Sequence, residues 1–197
     1  MLEQPSKSRI ILAITGATGA ILGIRALEML QQTDLETHLI ISAPARLTIS
    51  QETDRKFEDI EALADVIYQP GNIAAPIASG SFFTQGMLIL PCSVKTLSQV
   101  ANAHADNLIA RAADVCLKEG RPLVLALRET PLHRGHIRLM DLAAASGAII
   151  APPMPIFYHR PQSLDEMTDM IVLRLLQRLG IDLPESYQWM GMDDLRS

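Results

Sequence analysis

Residues 9–19 read RIILAITGATG, a continuous apolar run that stops at Gly16 and passes through Ala17 and Thr18 to Gly19. An apolar run without polar alternation suits a strand buried on both faces. The same grammar returns at 37–42, 86–91, 122–128 and 148–152. Between these runs lie helical patterns at 20–32, 43–52, 95–101, 106–119 and 135–145. A further helix starts at Ser163, where Ser163 and Glu166 form a capping-box pair. The alternation predicts an α/β fold, a Rossmann-like, doubly wound parallel sheet. A single domain is expected over 1–197, with terminal extensions at about 1–8 and 184–197.

The bulk properties fit that expectation. A 197-residue chain suits one ordinary domain, and a domain of that size buries roughly 70% of the surface its unfolded form exposes. Hydrophobic residues make up 48% and charged residues 20%, a globular composition. No apolar run approaches the ~20 residues that span a bilayer, so no membrane segment is expected. Residues 1–9 carry charge and Pro5 but no apolar core of a secretory signal, which makes the cytoplasm the expected location. Cys92 and Cys116 lack metal-ligand spacing and read as reduced thiols, with no zinc site. A net charge of −5 with no long basic run disfavours nucleic acid as a partner.

The turn Gly16-Ala17-Thr18-Gly19 follows a strand and opens a helix, so its amides and the helix dipole suit an anion such as phosphate. It is not a dinucleotide fingerprint, and Ser42, not an acid, ends the second strand. That favours a mononucleotide, although a tight turn needing only small residues would read the same way. Pro91-Cys92-Ser93-Val94-Lys95-Thr96 repeats the device with hydroxyls and a lysine at the next helix start, where Ser93 also suits an N-cap. Arg111 and Lys118, seven apart on one helix, border the stripe Leu108, Ala112 and Val115. Arg174 stands in the same relation to Leu164, Met167, Ile171 and Leu175. Either border could be ordinary solvated charge. Glu129 follows Arg128 at a strand end, where ligands bind in open α/β sheets and a carboxylate can shuttle a proton. His133 and His136 lack further ligands at metal spacing and read as surface or supporting histidines. Residues 69–84, with two prolines and two glycines, read as a loop covering a pocket or a partner chain.

Taken in order, ITGATGA (14–20), PCSVKT (91–96), ADNLIARAADVCLKE (105–119), LRETPLH (127–133) and APPMPIFYHRPQS (151–163) resemble the flavin prenyltransferases of the UbiX type. These sit within the homo-oligomeric flavin-containing decarboxylase-like proteins. The resemblance implies a flavoprotein-type fold and a cytoplasmic, metal-independent transferase. It would move the dimethylallyl group of dimethylallyl monophosphate to N5 and C6 of reduced FMN. The product, prenylated FMN, would serve a UbiD-type decarboxylase, and the assembly would be a dodecamer. By matched position, FMN contacts are Gly16, Ala17, Thr18, Ser42, Ser93, Val94, Lys95, Thr96 and Arg128. Contacts to the prenyl phosphate are Arg111, Lys118, Tyr158 and Arg174, and catalytic groups are Glu129, Glu52, Lys118 and Thr18. Many relatives have serine where Thr18 stands, and Phe82 and Phe83 replace more polar positions after Ser79-Gly80-Ser81. An FMN-dependent cysteine decarboxylase is disfavoured, because the loop reads PCSVKT and no histidine lies between His38 and His104. A non-catalytic FMN-binding subunit would have no need of a second phosphate site.

Overall fold

The computed structural model describes residues 7–184. The expected terminal extensions fall almost wholly outside the described residues. Six strands form the sheet: β1 (Arg9–Ile14), β2 (Glu36–Ile41), β3 (Val66–Tyr68), β4 (Gly86–Cys92), β5 (Leu123–Leu127) and β6 (Ile149–Ile150). Seven helices accompany them: α1 (Ala20–Leu30), α2 (Ala43–Glu52), α3 (Phe57–Glu61), α4 (Val94–Ala101), α5 (Leu108–Lys118), α6 (Arg134–Ala145) and α7 (Leu164–Gln177). All pairings are parallel, in the order β3-β2-β1-β4-β5-β6.

Side chains alternate across a strand, and this one sheet has a core on each face. Ile10, Leu12 and Ile14 pack with α1, α2, α3 and α7. Ile11 and Ala13 pack with α4, α5 and α6. Apolar residues at every position from Ile10 to Ile14 are the signature of that double burial. The chain builds outward from β1 through β2 to β3, then returns to the other side of β1 with β4. The order therefore reverses between β1 and β4, and in open α/β sheets ligands bind beyond the carboxyl ends at such a point.

Helix starts follow the sequence closely. Ser42 Oγ accepts the Ala45 amide at 3.2 Å, and Asn107 Oδ1 accepts the Ala110 amide at 3.1 Å. Asn107 is why α5 begins at Leu108 rather than at 106. Ser163 Oγ accepts the Glu166 amide at 3.0 Å, while Glu166 reaches back to the Gln162 amide at 2.6 Å, one residue beyond a standard capping box. Leu164, just past this cap, is 80% exposed and does not join the stripe expected of it. The last strand is shorter than expected, since Pro152 and Pro153 have no N–H to offer a ladder. β3 and α3 arise in a stretch too short to show a period. No helix among the described residues is long and apolar enough to cross a membrane.

Candidate active site

The Gly16 turn packs directly on the start of α2. A Cβ added to Gly16 would lie 2.4 Å from Pro44 Cβ, so only glycine fits there. Gly19 caps α1 with φ +92°, a conformation that L side chains rarely adopt. Thr18 is exposed at the tip. The amides of Gly19 and Ala20 donate to Glu52 Oε2 at 2.9 Å each, so a carboxylate from the end of α2 sits at the start of α1. The amides at that helix start, expected to meet a phosphate, meet the protein's own Glu52 instead.

The second turn lies beside the first, since β1 and β4 are neighbours. Ser93 caps α4 by accepting the Thr96 amide at 3.3 Å, and its hydroxyl lies 3.1 Å from that of Thr96. Thr15, 1% exposed, ties the turns together. Its hydroxyl donates to the Pro91 carbonyl at 2.8 Å and accepts the Ser93 amide at 2.8 Å. No motif marks Thr15, although Pro91 is a signal: a strand residue without N–H needs a substitute link. Cys92, fully buried between these groups, has its thiol pushed up to about 12 by burial.

Arg128 follows β5, and its amide donates to the Cys92 carbonyl at 3.0 Å. Glu129 Oε1 accepts the Thr130 amide at 2.8 Å, and among the described residues no ion pair joins it to Arg128 or Arg134. The structure thus brings Gly16, Ala17, Thr18, Ser42, Glu52, Ser93, Val94, Lys95, Thr96, Arg128 and Glu129 to one edge of the sheet. His133 caps α6 by accepting the Gly135 amide at 2.9 Å, and its ring packs 3.7 Å from that of His136. No cluster among the described residues has the make-up of a metal site.

The cations expected to share a second phosphate do not meet in one chain. Arg111 donates to the Ala78 carbonyl at 3.1 Å and to Asp114 at 2.7 Å. Lys118, at the end of α5, is paired with Glu119, whose carboxyl that hydrogen bond holds below its usual range. Both cations lie on the α4–α5–α6 face, under the loop 69–84. That loop is not featureless: it contains a 3-10 turn at Pro76–Ala78. Arg121 straps it through the carbonyls of Phe82 (2.9 Å) and Gly80 (2.6 Å). The loop leads into the start of β4, so Lys118 stands at the amino edge of the sheet. The cradle lies at the opposite edge, about 20 Å away at ~3.3 Å per strand residue.

Tyr158 and Arg174 do come together. They line a cavity of about 520 Å³ beside β6, with apolar walls that include Ile149, Ile156, Ile171 and Leu175. This cavity adjoins α7, on the face opposite to Arg111 and Lys118. One chain therefore presents three separate parts: a cradle, a pair of cations on one face and a tyrosine–arginine cavity on the other.

The Flavoprotein family model matches residues 2–170. The flavin prenyltransferase UbiX of Escherichia coli K12 is 55% identical over 186 residues, covering 93% of this chain and 98% of that protein. A crystal structure of AnUbiX (PadA1) in complex with FMN and dimethylallyl pyrophosphate superposes with a TM-score of 0.92 at 44% identity, covering 94% of this chain and 98% of that one. A dodecameric FMN-dependent UbiX-like decarboxylase from Escherichia coli O157:H7 gives 0.90 at 44% identity, covering 93% of this chain and all of that one.

Proposed function

The chain belongs to the flavin prenyltransferases of the UbiX type, and from that membership we propose how its own residues carry out the reaction. The dimethylallyl group of dimethylallyl monophosphate is transferred to N5 and C6 of reduced FMN, closing a fourth ring with loss of phosphate and a proton. The observation that carries the reading is the meeting of the Gly16–Gly19 turn, the Ser93–Thr96 turn and the Arg128-Glu129 strand end at the point where strand order reverses. Glu52 takes the amides at the start of α1, so the flavin phosphate falls to the start of α4, with the Ser93 and Thr96 hydroxyls and Lys95. Thr18, at the exposed tip, offers its hydroxyl to the flavin, with a methyl more than serine would carry.

Breaking the allylic C–O bond builds charge on the departing phosphate, and cations set there stabilise the transition state more than the ground state. Arg111, Lys118 and Arg174 supply that charge, and the Tyr158 hydroxyl supplies a donor. Because they lie on opposite faces of one sheet, with Lys118 at its amino edge, a complete site draws on several copies of the chain, as a dodecamer provides. Glu129, exposed beside the cradle, takes the proton lost when the ring closes at C6. The product passes to a UbiD-type decarboxylase, and the work is done in the cytoplasm.

Purified protein given FMN, a reductant and dimethylallyl monophosphate should yield a flavin heavier by one C5 prenyl unit in mass spectrometry. Recovery of unmodified FMN alone overturns the reading. Glu129→Gln should keep FMN bound and stall turnover, and Arg174→Ala should impair use of the prenyl phosphate more than it impairs FMN binding.

A further inference from the structure

We propose that Thr15 is a positioning residue for the flavin: its buried hydroxyl sets the spacing between the two turns that grip FMN. The proposal rests on the reading of those turns as the cradle. Ladder pairing between β1 and β4 ends at Ala13 and Ile89. Pro91, which follows, has no N–H to extend it, and the β4–β5 register shifts between Ile89 and Cys92. At the edge where the ligand must sit, the regular β1–β4 ladder has therefore stopped. Thr15 replaces it. Its amide donates to the Pro91 carbonyl at 3.2 Å, its hydroxyl donates to the same carbonyl at 2.8 Å, and that hydroxyl accepts the Ser93 amide at 2.8 Å.

One oxygen acting as both donor and acceptor fixes the β4 exit at two points relative to the Gly16 turn. It also engages the Ser93 amide, so that the amides of Val94 and Lys95 are the next along the start of α4 to meet an anion. Without the hydroxyl, the Pro91 carbonyl keeps only its bond from the Thr15 amide, and the Ser93 amide is left without its partner. The turns then lose their common reference, while the apolar contacts of a residue 1% exposed are kept by an isostere.

The test is a flavin titration of Thr15→Val and Thr15→Ser, each at a temperature well below its own melting point. Thr15→Val should weaken FMN binding about tenfold, the scale of one net hydrogen bond, and Thr15→Ser should bind as wild type does. A Thr15→Val protein that melts earlier yet binds FMN with wild-type affinity overturns the proposal, because the hydroxyl would then be structural only. If Thr15→Val does not fold, deuterium exchange of the wild-type chain decides. The Ser93 amide should be protected before FMN is added, and fast exchange there overturns the proposal. Ser93→Ala and Lys95→Ala separate the two claims. Wild-type FMN affinity in both overturns the cradle reading and the proposal with it, whereas weakened binding in both beside unchanged Thr15→Val overturns the proposal alone.

Discussion

At the scale of single residues, the distances matter more than the motif. GATG predicts small residues at a turn, but the reason Gly16 admits no side chain is Pro44, which belongs to the next crossover. Gly16→Ala must push α2 away from β1, so it should cost about 1–3 kcal/mol in urea unfolding, the usual range for overpacking, and weaken FMN binding as well. Glu52 entered the site only through family resemblance. No local pattern marks a residue at the end of one helix as the anion at the start of another. No motif marks His38, yet it is 1% exposed, with Nδ1 3.0 Å from the Tyr68 hydroxyl and Nε2 2.8 Å from Glu36. The Glu36 hydrogen bond favours the charged ring, but burial outweighs it and lowers the pKa from 6.5. The native state therefore resists a proton that the unfolded chain accepts. The stability this contributes is fully present above about pH 6.5 and is lost as pH falls toward the native pKa. Melting temperatures followed downward from pH 8 should show that loss, and His38→Gln should flatten it.

Among elements, the long strands and helices were legible because their apolar periods persist over a whole element. β3 and α3 were not, because three and five residues show no period. The sequence of 69–84 predicts a cover, and in the structure the loop is a strap held from one side. Arg111 bonds Ala78, and Arg121 bonds Gly80 and Phe82 while standing 5.3 Å over the Phe83 ring. Phe82 packs edge-on to His38 and beneath Arg9, 4.3 Å from its ring centre. It serves the core of the amino edge. Arg121→Leu should release two carbonyls of the strap at once. Deuterium uptake should rise over 79–83 with little change across β1 and β4, and protection unchanged over 79–83 would show that the strap does not depend on Arg121.

Over the whole molecule, the family motifs were readable while their arrangement was not. A sequence gives the period of each element but not the face of the sheet to which a crossover returns. Arg111 and Arg174 therefore looked like neighbours and stand on opposite sides. If complete sites form only between copies, chains carrying Lys118→Ala and chains carrying Glu129→Gln, each inactive alone, should regain activity when co-assembled. An equal mixture would approach about one quarter of the wild-type rate, the chance that both positions of a shared site are intact. Mixtures as inactive as their parents would place both residues in one protomer's site. The two thiols bear on a different hazard. A catalyst that generates an allylic electrophile risks alkylating itself, and sulfur is a soft target. Cys92 lies at the cradle wall and Cys116 inside α5, both buried and both pushed up to about 12, so neither offers a thiolate. After prolonged turnover, peptide mapping should find both cysteines unprenylated. The enclosure of Cys92 thus gives the flavin the allyl group without competition from the wall that holds it.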